Sequence, residues 1–151
     1  MIKIRRANIN DASTIAEFNQ AMAIETEDKT LDPLIIGAGV RRMIDDRQLG
    51  FYLVACIDEK IVGCLGITTE WSDWRNGLWW WIQSVYVAAE FRTQGVFTSL
   101  YETVRSKALD ETDVCGIRLY AEKDNEQAIR TYLRLGMIET EYRLLEEEFF
   151  R

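Results

Sequence analysis

The sequence predicts a single α/β domain of 151 residues, in which a central mixed β-sheet of six to seven strands carries helices on both faces. Three observations lead to this prediction. Some runs alternate apolar and polar residues, as strands do, and others repeat apolar residues at the spacing of amphipathic helices. Short turns join the strands of the first half, whereas helices separate those of the second, so hairpins and crossovers share one sheet. The length suffices for one ordinary hydrophobic core.

The first half is predicted to contain four strands and two helices. The strands cover residues 2–8, 51–57, 61–69 and 78–87. Asp11 or Ser13 is expected to cap the first helix. A polar loop over residues 25–30 leads to a second helix beginning at Asp32–Pro33, because proline fits the first helical turn. The connection before the last of these strands closes on Asn76–Gly77, a strong turn signal.

The second half is predicted to alternate helices with strands. Its elements are a third helix to about residue 109, a strand over residues 114–121, a fourth helix over residues 124–136 and one or two final strands over residues 137–149. Asp124 followed by Gln127 is a capping-box signature. Asp124 is therefore the expected cap of the fourth helix, which leaves the neighbouring Asn125 for a ligand.

Composition argues against several classes of protein. The net charge of −7 and the lack of a Lys/Arg cluster disfavour nucleic-acid and anionic-membrane binding. No apolar run has transmembrane length and no signal sequence opens the chain, so we expect a cytoplasmic protein. Cys56, Cys64 and Cys115 lack CxxC spacing and lie in apolar runs, so we expect buried, reduced thiols. Without histidine, no metal site is expected, and the commonest general base is absent.

The stretch from Ser84 to Phe97 predicts an anion site. It is read as the end of a strand, a turn containing Gly95, and the start of a helix. The first N–H groups of a helix lack partners within the helix and, with the helix dipole, suit a phosphate or pyrophosphate. Ligands of α/β sheets favour such a place, where hairpins give way to crossovers. The alternative is a turn glycine without a ligand.

Two motifs resemble those of the GNAT superfamily of acyl-CoA-dependent N-acyltransferases, and the order of elements fits over essentially the whole chain. The pyrophosphate loop of that family, Arg/Gln-x-x-Gly-x-Gly/Ala, is matched by Arg92-Thr93-Gln94-Gly95-Val96-Phe97. A second motif, Asn-x-x-Ala-x-x-x-Tyr-x-x-x-Gly-Phe, is matched by Asn125, Ala128, Tyr132, Gly136 and Met137. Phe97 replaces the usual Gly or Ala, and its ring is expected to turn into the core because it opens the apolar face of the third helix.

The resemblance implies an N-acetyltransferase that uses acetyl-CoA as co-substrate. A primary amine, on a small molecule or a peptide, would attack the thioester directly in a ternary complex. Tyr132 would contact the coenzyme near its sulfur and protonate the departing thiolate, although a core aromatic is the alternative interpretation. Asn125 would contact the pantetheine arm. The remaining implied coenzyme contacts are Val85, Tyr86, Val87, Arg92, Thr93, Gln94, Gly95, Val96, Phe97 and Thr98.

Candidates for the acceptor site come from two kinds of side chain. The carboxylates considered as general base or acceptor contacts are Glu25, Glu27 and Glu70, each of which could equally be a solvated surface residue. Five tryptophans fall within residues 71–81; at least two are expected to fill the core or a dimer seam, and others could wall the acceptor pocket. Trp81 and Gln83 are the candidates on the strand. Acidic and aromatic side chains together favour a cationic amine.

Two other functions are considered. One is a non-catalytic acyl-CoA-binding or sensing module on the same fold. The other is a nucleotide site at Gly37 and Gly39, which is disfavoured because Arg42 replaces the third glycine of the dinucleotide fingerprint and no adequate strand precedes it. The Trp-rich strand and the Glu-rich aromatic tail are compatible with a homodimer.

Overall fold

The computed structural model describes residues 1–150 and contains five strands and four α-helices. In chain order these are β1 (Lys3–Arg6), α1 (Ala12–Glu27), α2 (Pro33–Asp45), β2 (Phe51–Ile57), β3 (Lys60–Ser72), β4 (Gly77–Val87), α3 (Val96–Asp110), β5 (Val114–Arg118) and α4 (Glu126–Arg134). Short 3-10 helices over Ile9–Asp11 and Ala89–Phe91 precede α1 and α3. The chain divides into two compact units, the first over Met1–Leu119 and the second from Tyr120 onward.

The strands form one mixed sheet in the order β1-β2-β3-β4-β5. The first four are antiparallel neighbours, whereas β5 runs parallel to β4 because α3 crosses between them. The predicted mixed sheet is confirmed, but it has five strands, not six to seven. Residues 137–150 form no strand. Five glutamates fall in this segment, and glutamate has a low strand propensity.

Helices cover both faces of the sheet, as predicted. On one face, α1 and α2 bury Ile15 and Val40 in a cluster with side chains of β2 and β3, including Val54 and Cys64. On the opposite face α3 begins close to the sheet, since a Cβ built at Gly63 would lie 3.2 Å from Val96. Further buried residues of α3 are Leu100, Tyr101, Val104 and Ala108. Among the described residues, no helix has both the length and the apolarity needed to cross a bilayer.

The cysteines differ in burial. Cys56 and Cys64 are buried, as predicted, and burial raises the pKa of the Cys64 thiol to about 12, so this thiol stays protonated. The prediction that Cys115 is buried is wrong, because its side chain is exposed on β5, an edge strand of the sheet. An apolar run therefore did not distinguish the covered side of an edge strand from its open side.

The first helix is longer than predicted, so Glu25 and Glu27 belong to α1 and not to a loop. Nothing in this acidic stretch breaks a helix. The helix ends where Asp28 adopts a left-handed conformation with φ of 52° and the N–H of Lys29 donates to the carbonyl of Ala23 at 3.1 Å.

The predicted cap of α1, Asp11, makes a different set of bonds. Its carboxylate accepts from the two terminal nitrogens of Arg5 at 2.8 and 2.9 Å and from the N–H of Asn8 at 2.8 Å. It makes no capping bond to α1. The bond to Asn8 belongs to a capping box at the preceding 3-10 helix. Chiefly because of Arg5, the pKa of Asp11 lies below its ordinary value.

Replacing Asp11 with alanine is expected to lower the free energy of unfolding by about 3 kcal/mol at pH 7, because a buried carboxylate with charged partners is lost. Asp11→Asn keeps an acceptor for Asn8 and should cost less. Because the folded pKa is depressed, the stabilisation by the charge is complete above the unfolded pKa and is lost as the pH falls through the folded one. In urea unfolding, the difference in free energy of unfolding between wild type and Asp11→Asn should therefore decrease from pH 7 to pH 3. A difference that does not change with pH would contradict stabilisation by the charge of Asp11.

Candidate active site

The parallel pairing between β4 and β5 stops partway along β4. Trp81 pairs with Arg118 and is the last β4 residue with a partner on β5, although β4 continues to Val87. We call residues 82–87 the open edge of β4. An unpaired strand edge can accept a further extended segment through main-chain hydrogen bonds. The open edge contains Val85, one of the predicted coenzyme contacts.

A bulge lies at the centre of the open edge. Cys64 pairs with Tyr86 and Gly66 with Gln83, so two residues of β4 lie opposite the single residue between them on β3. One of the two, Ser84, has a φ of 55°, in the left-handed region, which costs a serine on the order of 1 kcal/mol. Bulges increase local twist and re-aim a strand. The bulge lies in the part of β4 that has no partner on β5.

The open edge leads into a loop that ends at the first turn of α3. Gly95 precedes the helix with a φ of 85°, and no side-chain capping bond occupies the first amides. A Cβ built at Gly95 would meet nothing within 4 Å. The helix start therefore offers unpaired N–H donors next to open space, an arrangement that suits an anionic group.

The side chains of this loop mostly bind the loop itself. The hydroxyl of Thr93 donates to the carbonyl of Arg92 at 2.6 Å, and the side-chain amide of Gln94 donates to the carbonyl of Glu90 at 3.1 Å. Phe97 is half-buried with its ring 6.2 Å from that of Tyr101, one turn along α3. The expected burial of Phe97 in the core is thus only partial, and the buried face of α3 begins at Val96.

Arg92 ties the loop to two other elements. Its Nε donates to the carbonyl of Val87 at 2.9 Å, and its Nη2 donates to the carboxylate of Glu25 on α1 at 3.0 Å. The guanidinium also lies 5.3 Å from the centre of the Tyr86 ring. Burial and the nearby Glu25 raise the pKa of Tyr86. Glu25, a candidate acceptor carboxylate, is therefore placed against the loop between β4 and α3, whereas Glu27 is exposed and lies 3.6 Å from Lys29.

A second group of side chains lies on the sheet where the pairing of β4 and β5 ends. Strand register and hydrogen bonds bring them to one face of β3, β4 and β5. We call this group the polar ledge, which consists of Thr68, Glu70, Trp79, Trp81, Gln83 and Arg118. Three of them, Glu70, Trp81 and Gln83, are predicted acceptor residues.

Glu70 is the hydrogen-bonding centre of the polar ledge. Its Oε1 accepts from Arg118 at 2.8 Å and from the indole N–H of Trp81 at 3.2 Å. Beside this pair, the side-chain amide of Gln83 donates to the hydroxyl of Thr68 at 3.2 Å. These contacts hold a carboxylate, a guanidinium and an aromatic ring in a defined arrangement on a partly exposed surface.

Trp79 forms the other part of the polar ledge. The guanidinium of Arg118 lies 3.9 Å from the centre of a Trp79 ring and that of Arg75 lies 4.9 Å from it. The ring rests on Gly116, where a Cβ would approach to 2.4 Å, so only glycine fits. The buried indole nitrogen of Trp79 has no hydrogen-bond acceptor among the described residues.

The tryptophans separate as strand alternation predicts. Trp79 and Trp81 share one face and Trp80 lies on the other, where it is buried against Phe51. Trp71 and Trp74 are exposed. Of the five, only Trp80 is buried in the core of the described chain, and the expectation that at least two fill the core or a dimer seam stays a prediction.

The second unit contains the remaining predicted coenzyme contacts. Asn125 is the cap of α4, since its side-chain oxygen accepts from the N–H of Ala128 at 3.4 Å. The prediction that Asp124 caps this helix is wrong, because α4 begins at Glu126 and the cap position therefore falls on Asn125. The side-chain nitrogen of Asn125 is not used by the cap. Tyr132 is half-buried on α4, and burial raises the pKa of its phenol.

Sequence reasoning missed Arg118, Thr68 and Arg75. Arg118 joins the site only through the register of β5 against β4, which no local pattern indicates. Thr68 lies on β3 opposite Trp81 and could have been found by aligning the two strands. Within residues 1–150, no group of three or more Cys, Asp or Glu side chains is arranged to hold a metal ion.

Known proteins resemble this chain in sequence and in fold. The model of the acetyltransferase (GNAT) family matches residues 13–137. A crystal structure of a possible acetyltransferase from Clostridium difficile 630 is 41% identical, with 100% of this chain and 99% of that chain covered and a TM-score of 0.93. A search of curated proteins finds no match.

Two more distant structures show the fold alone. One is a predicted acetyltransferase with acetyl-CoA from Clostridium acetobutylicum, 18% identical with a TM-score of 0.80, over 97% of this chain and 96% of that chain. The other is a transcriptional regulator from Bacillus halodurans C-125, 21% identical with a TM-score of 0.83, over 99% of this chain and 100% of that chain. With the family model covering most of its length, this chain belongs to the GNAT family of acetyltransferases.

Proposed function

We propose that this protein is an N-acetyltransferase that transfers the acetyl group of acetyl-CoA to a primary amine. The observation that carries the proposal is the continuity of the open edge of β4 with the uncapped start of α3. An extended arm with an amide backbone suits the former, and a pyrophosphate suits the latter. Acetyl-CoA has both groups in one molecule.

The proposed coenzyme runs from the loop back along β4. Amides of residues 92–98 hold the pyrophosphate, and the backbone of Val85 and Val87 pairs with the pantetheine arm. From Val87 to Ile82 is about 17 Å at the rise of a strand. The thioester end of an arm along this edge is therefore directed to the polar ledge, and an amide of β4 polarises its carbonyl.

The reaction is a direct transfer between two bound molecules. The amine nitrogen forms a bond to the acetyl carbon, the carbon–sulfur bond breaks, and the amine loses one proton while the thiolate gains one. We assign the protonation of the thiolate to Tyr132, because its position matches the family motif and burial keeps its phenol protonated at neutral pH. Asn125 contributes its side-chain nitrogen to the pantetheine arm.

The acceptor side is proposed at the polar ledge. Glu70, Trp81 and Gln83 line it, and Glu70 is the carboxylate best placed to hold the amine. Glu25 has a different assignment here, since its bond to Arg92 supports the coenzyme loop. Glu27, exposed at the end of α1, has no contact that connects it with the ledge.

We further propose a cytoplasmic homodimer. Support for the location comes from three free cysteines, which fit a reducing compartment, and from the co-substrate. Support for the dimer comes from large apolar side chains exposed near the end of the chain, namely Ile138, Leu144, Leu145, Phe149 and Phe150. Light scattering on the purified protein measures the oligomeric state.

A thiol-release assay with acetyl-CoA and a panel of amines tests the proposed function. We expect thiol release that depends on both the enzyme and an amine, with acetylated amine formed in equal amount. Calorimetric titration with acetyl-CoA should show binding in the micromolar range typical of enzyme substrates. Failure to bind acetyl-CoA at millimolar concentration, together with no thiol release from any amine, would refute the proposal.

A further inference from the structure

We propose that the polar ledge selects an acceptor that carries a carboxylate next to its amine, as a free amino acid does. This inference rests on the proposed function and names the acceptor class of the same site. It departs from the cationic amine that the sequence favours, because the charges found on the ledge differ from those that composition suggests.

Glu70 is hydrogen-bonded through only one of its two carboxylate oxygens within the described chain. Both of its bonds, from Arg118 and from Trp81, go to Oε1. In the part of the chain that the structure describes, Oε2 accepts no bond, and 46% of the Glu70 side chain is exposed. Glu70 therefore has a fixed position and a free oxygen, which can accept from an ammonium or amine.

Charged side chains surround Trp79. Two guanidinium groups, from Arg75 and Arg118, lie over its ring, and one carboxylate, Glu70, lies beside them. Arg118 uses one terminal nitrogen for Glu70, and its other nitrogens have no acceptor among the described residues. Arg75 forms no ion pair there and donates only to the hydroxyl of Ser72 at 3.5 Å. The nearby Asp73 is likewise in no ion pair within the described chain.

Two guanidinium groups with unfilled donors therefore flank Trp79, beside one hydrogen-bonded carboxylate, on a protein whose net charge is −7. A plain cationic amine would meet one carboxylate and two guanidinium groups. An amino acid would place its amine at Oε2 of Glu70 and its carboxylate on the guanidinium nitrogens of Arg118 or Arg75. Guanidinium groups bind carboxylates in the planar, two-bond geometry that gives strong and specific recognition.

Paired acceptors test the proposal. Each amino acid is compared with its own amide, for example phenylalanine with phenylalaninamide and leucine with leucinamide, in thiol-release assays with saturating acetyl-CoA. The two members share the same side chain and α-amine, and only the amino acid carries the carboxylate. We expect kcat/KM to be at least tenfold higher for the better amino acids than for their amides, with most of the difference in KM.

Arg118→Gln should reduce this preference at least tenfold, and Arg75→Gln should reduce it several-fold. Arg105→Gln, which removes an exposed arginine from α3 on the opposite face of the sheet, is the matched control and should leave the preference unchanged. Titration with acetyl-CoA should give the same affinity for all four proteins. If Arg118→Gln does not fold, Arg75→Gln carries the test, because its side chain is exposed and outside any described ion pair.

Equal efficiency with amino acids and their amides would overturn the inference, as would a preference that survives in both Arg118→Gln and Arg75→Gln. Neither result would contradict the proposed function, since amines would still be acetylated. The proposed function fails in a different way, by no thiol release from any acceptor and no binding of acetyl-CoA.

Discussion

Replacing Tyr132 with phenylalanine is expected to lower kcat by about 100- to 10,000-fold, which is the range for losing a positioned general acid. The change removes only the phenolic oxygen and keeps the ring, so α4 should fold normally. The affinity for acetyl-CoA should change less than threefold. Thiol-release kinetics measure the first quantity and calorimetric titration measures the second.

The matched control is Tyr142→Phe, because Tyr142 lies in the same unit and is exposed. Its kcat should stay within twofold of wild type. A Tyr132→Phe enzyme with near-normal turnover would show that another group or water protonates the thiolate. The experiment also separates an enzyme from a sensing module, because a module would bind acetyl-CoA and release no thiol even before the substitution.

Replacing Gly95 with aspartate is expected to weaken acetyl-CoA binding on the order of 100-fold. The new carboxylate would stand at the start of α3, where the pyrophosphate is proposed to bind. Two like charges about 4 Å apart repel by up to about 4 kcal/mol near a protein surface, and about 2.7 kcal/mol corresponds to 100-fold. The fold should tolerate the change, because aspartate is a good helix cap and accepts the left-handed conformation of Gly95 better than most residues.

Gly95→Asn is the neutral control for this variant. Asparagine has the same shape and the same tolerance of positive φ, so it isolates the effect of the charge. We expect Gly95→Asn to bind acetyl-CoA at least tenfold more tightly than Gly95→Asp, and thermal unfolding of the two variants to be similar. Equal affinities would place the pyrophosphate elsewhere.

The parts of the fold that depend on local pattern were predictable from sequence. The strand over residues 51–57 has the predicted limits, because a continuous apolar run is bounded by turn residues on both sides. The start of α2 follows from Asp32 and Pro33 in the same way, and Asp32 accepts from the N–H of Leu34. That residues 137–150 form no strand was not predictable, since aromatic residues favour a strand there and the intervening glutamates oppose it.

In the candidate site, too, the contiguous part could be predicted from sequence and the part assembled by strand pairing could not. The predicted coenzyme contacts over residues 92–98 form one continuous stretch, so a motif suffices to predict them. The polar ledge combines residues as distant as Glu70 and Arg118, which meet only after β3, β4 and β5 pair in their particular registers. The bulge at Ser84 could not be predicted either. A glycine would have indicated a positive φ, whereas a serine gives no such signal in the sequence.

The open edge of β4 also makes the protein prone to aggregation when no coenzyme is bound. Unsatisfied strand edges are templates for pairing with other chains and so promote aggregation. In the cell, a bound coenzyme would occupy these donors and acceptors and so prevent them from pairing with other chains. At a concentration 100 times its Kd, such a ligand adds about 2.7 kcal/mol to the free energy of unfolding. Purification and storage with coenzyme A should therefore yield a more soluble and more heat-resistant protein than the same chain without it.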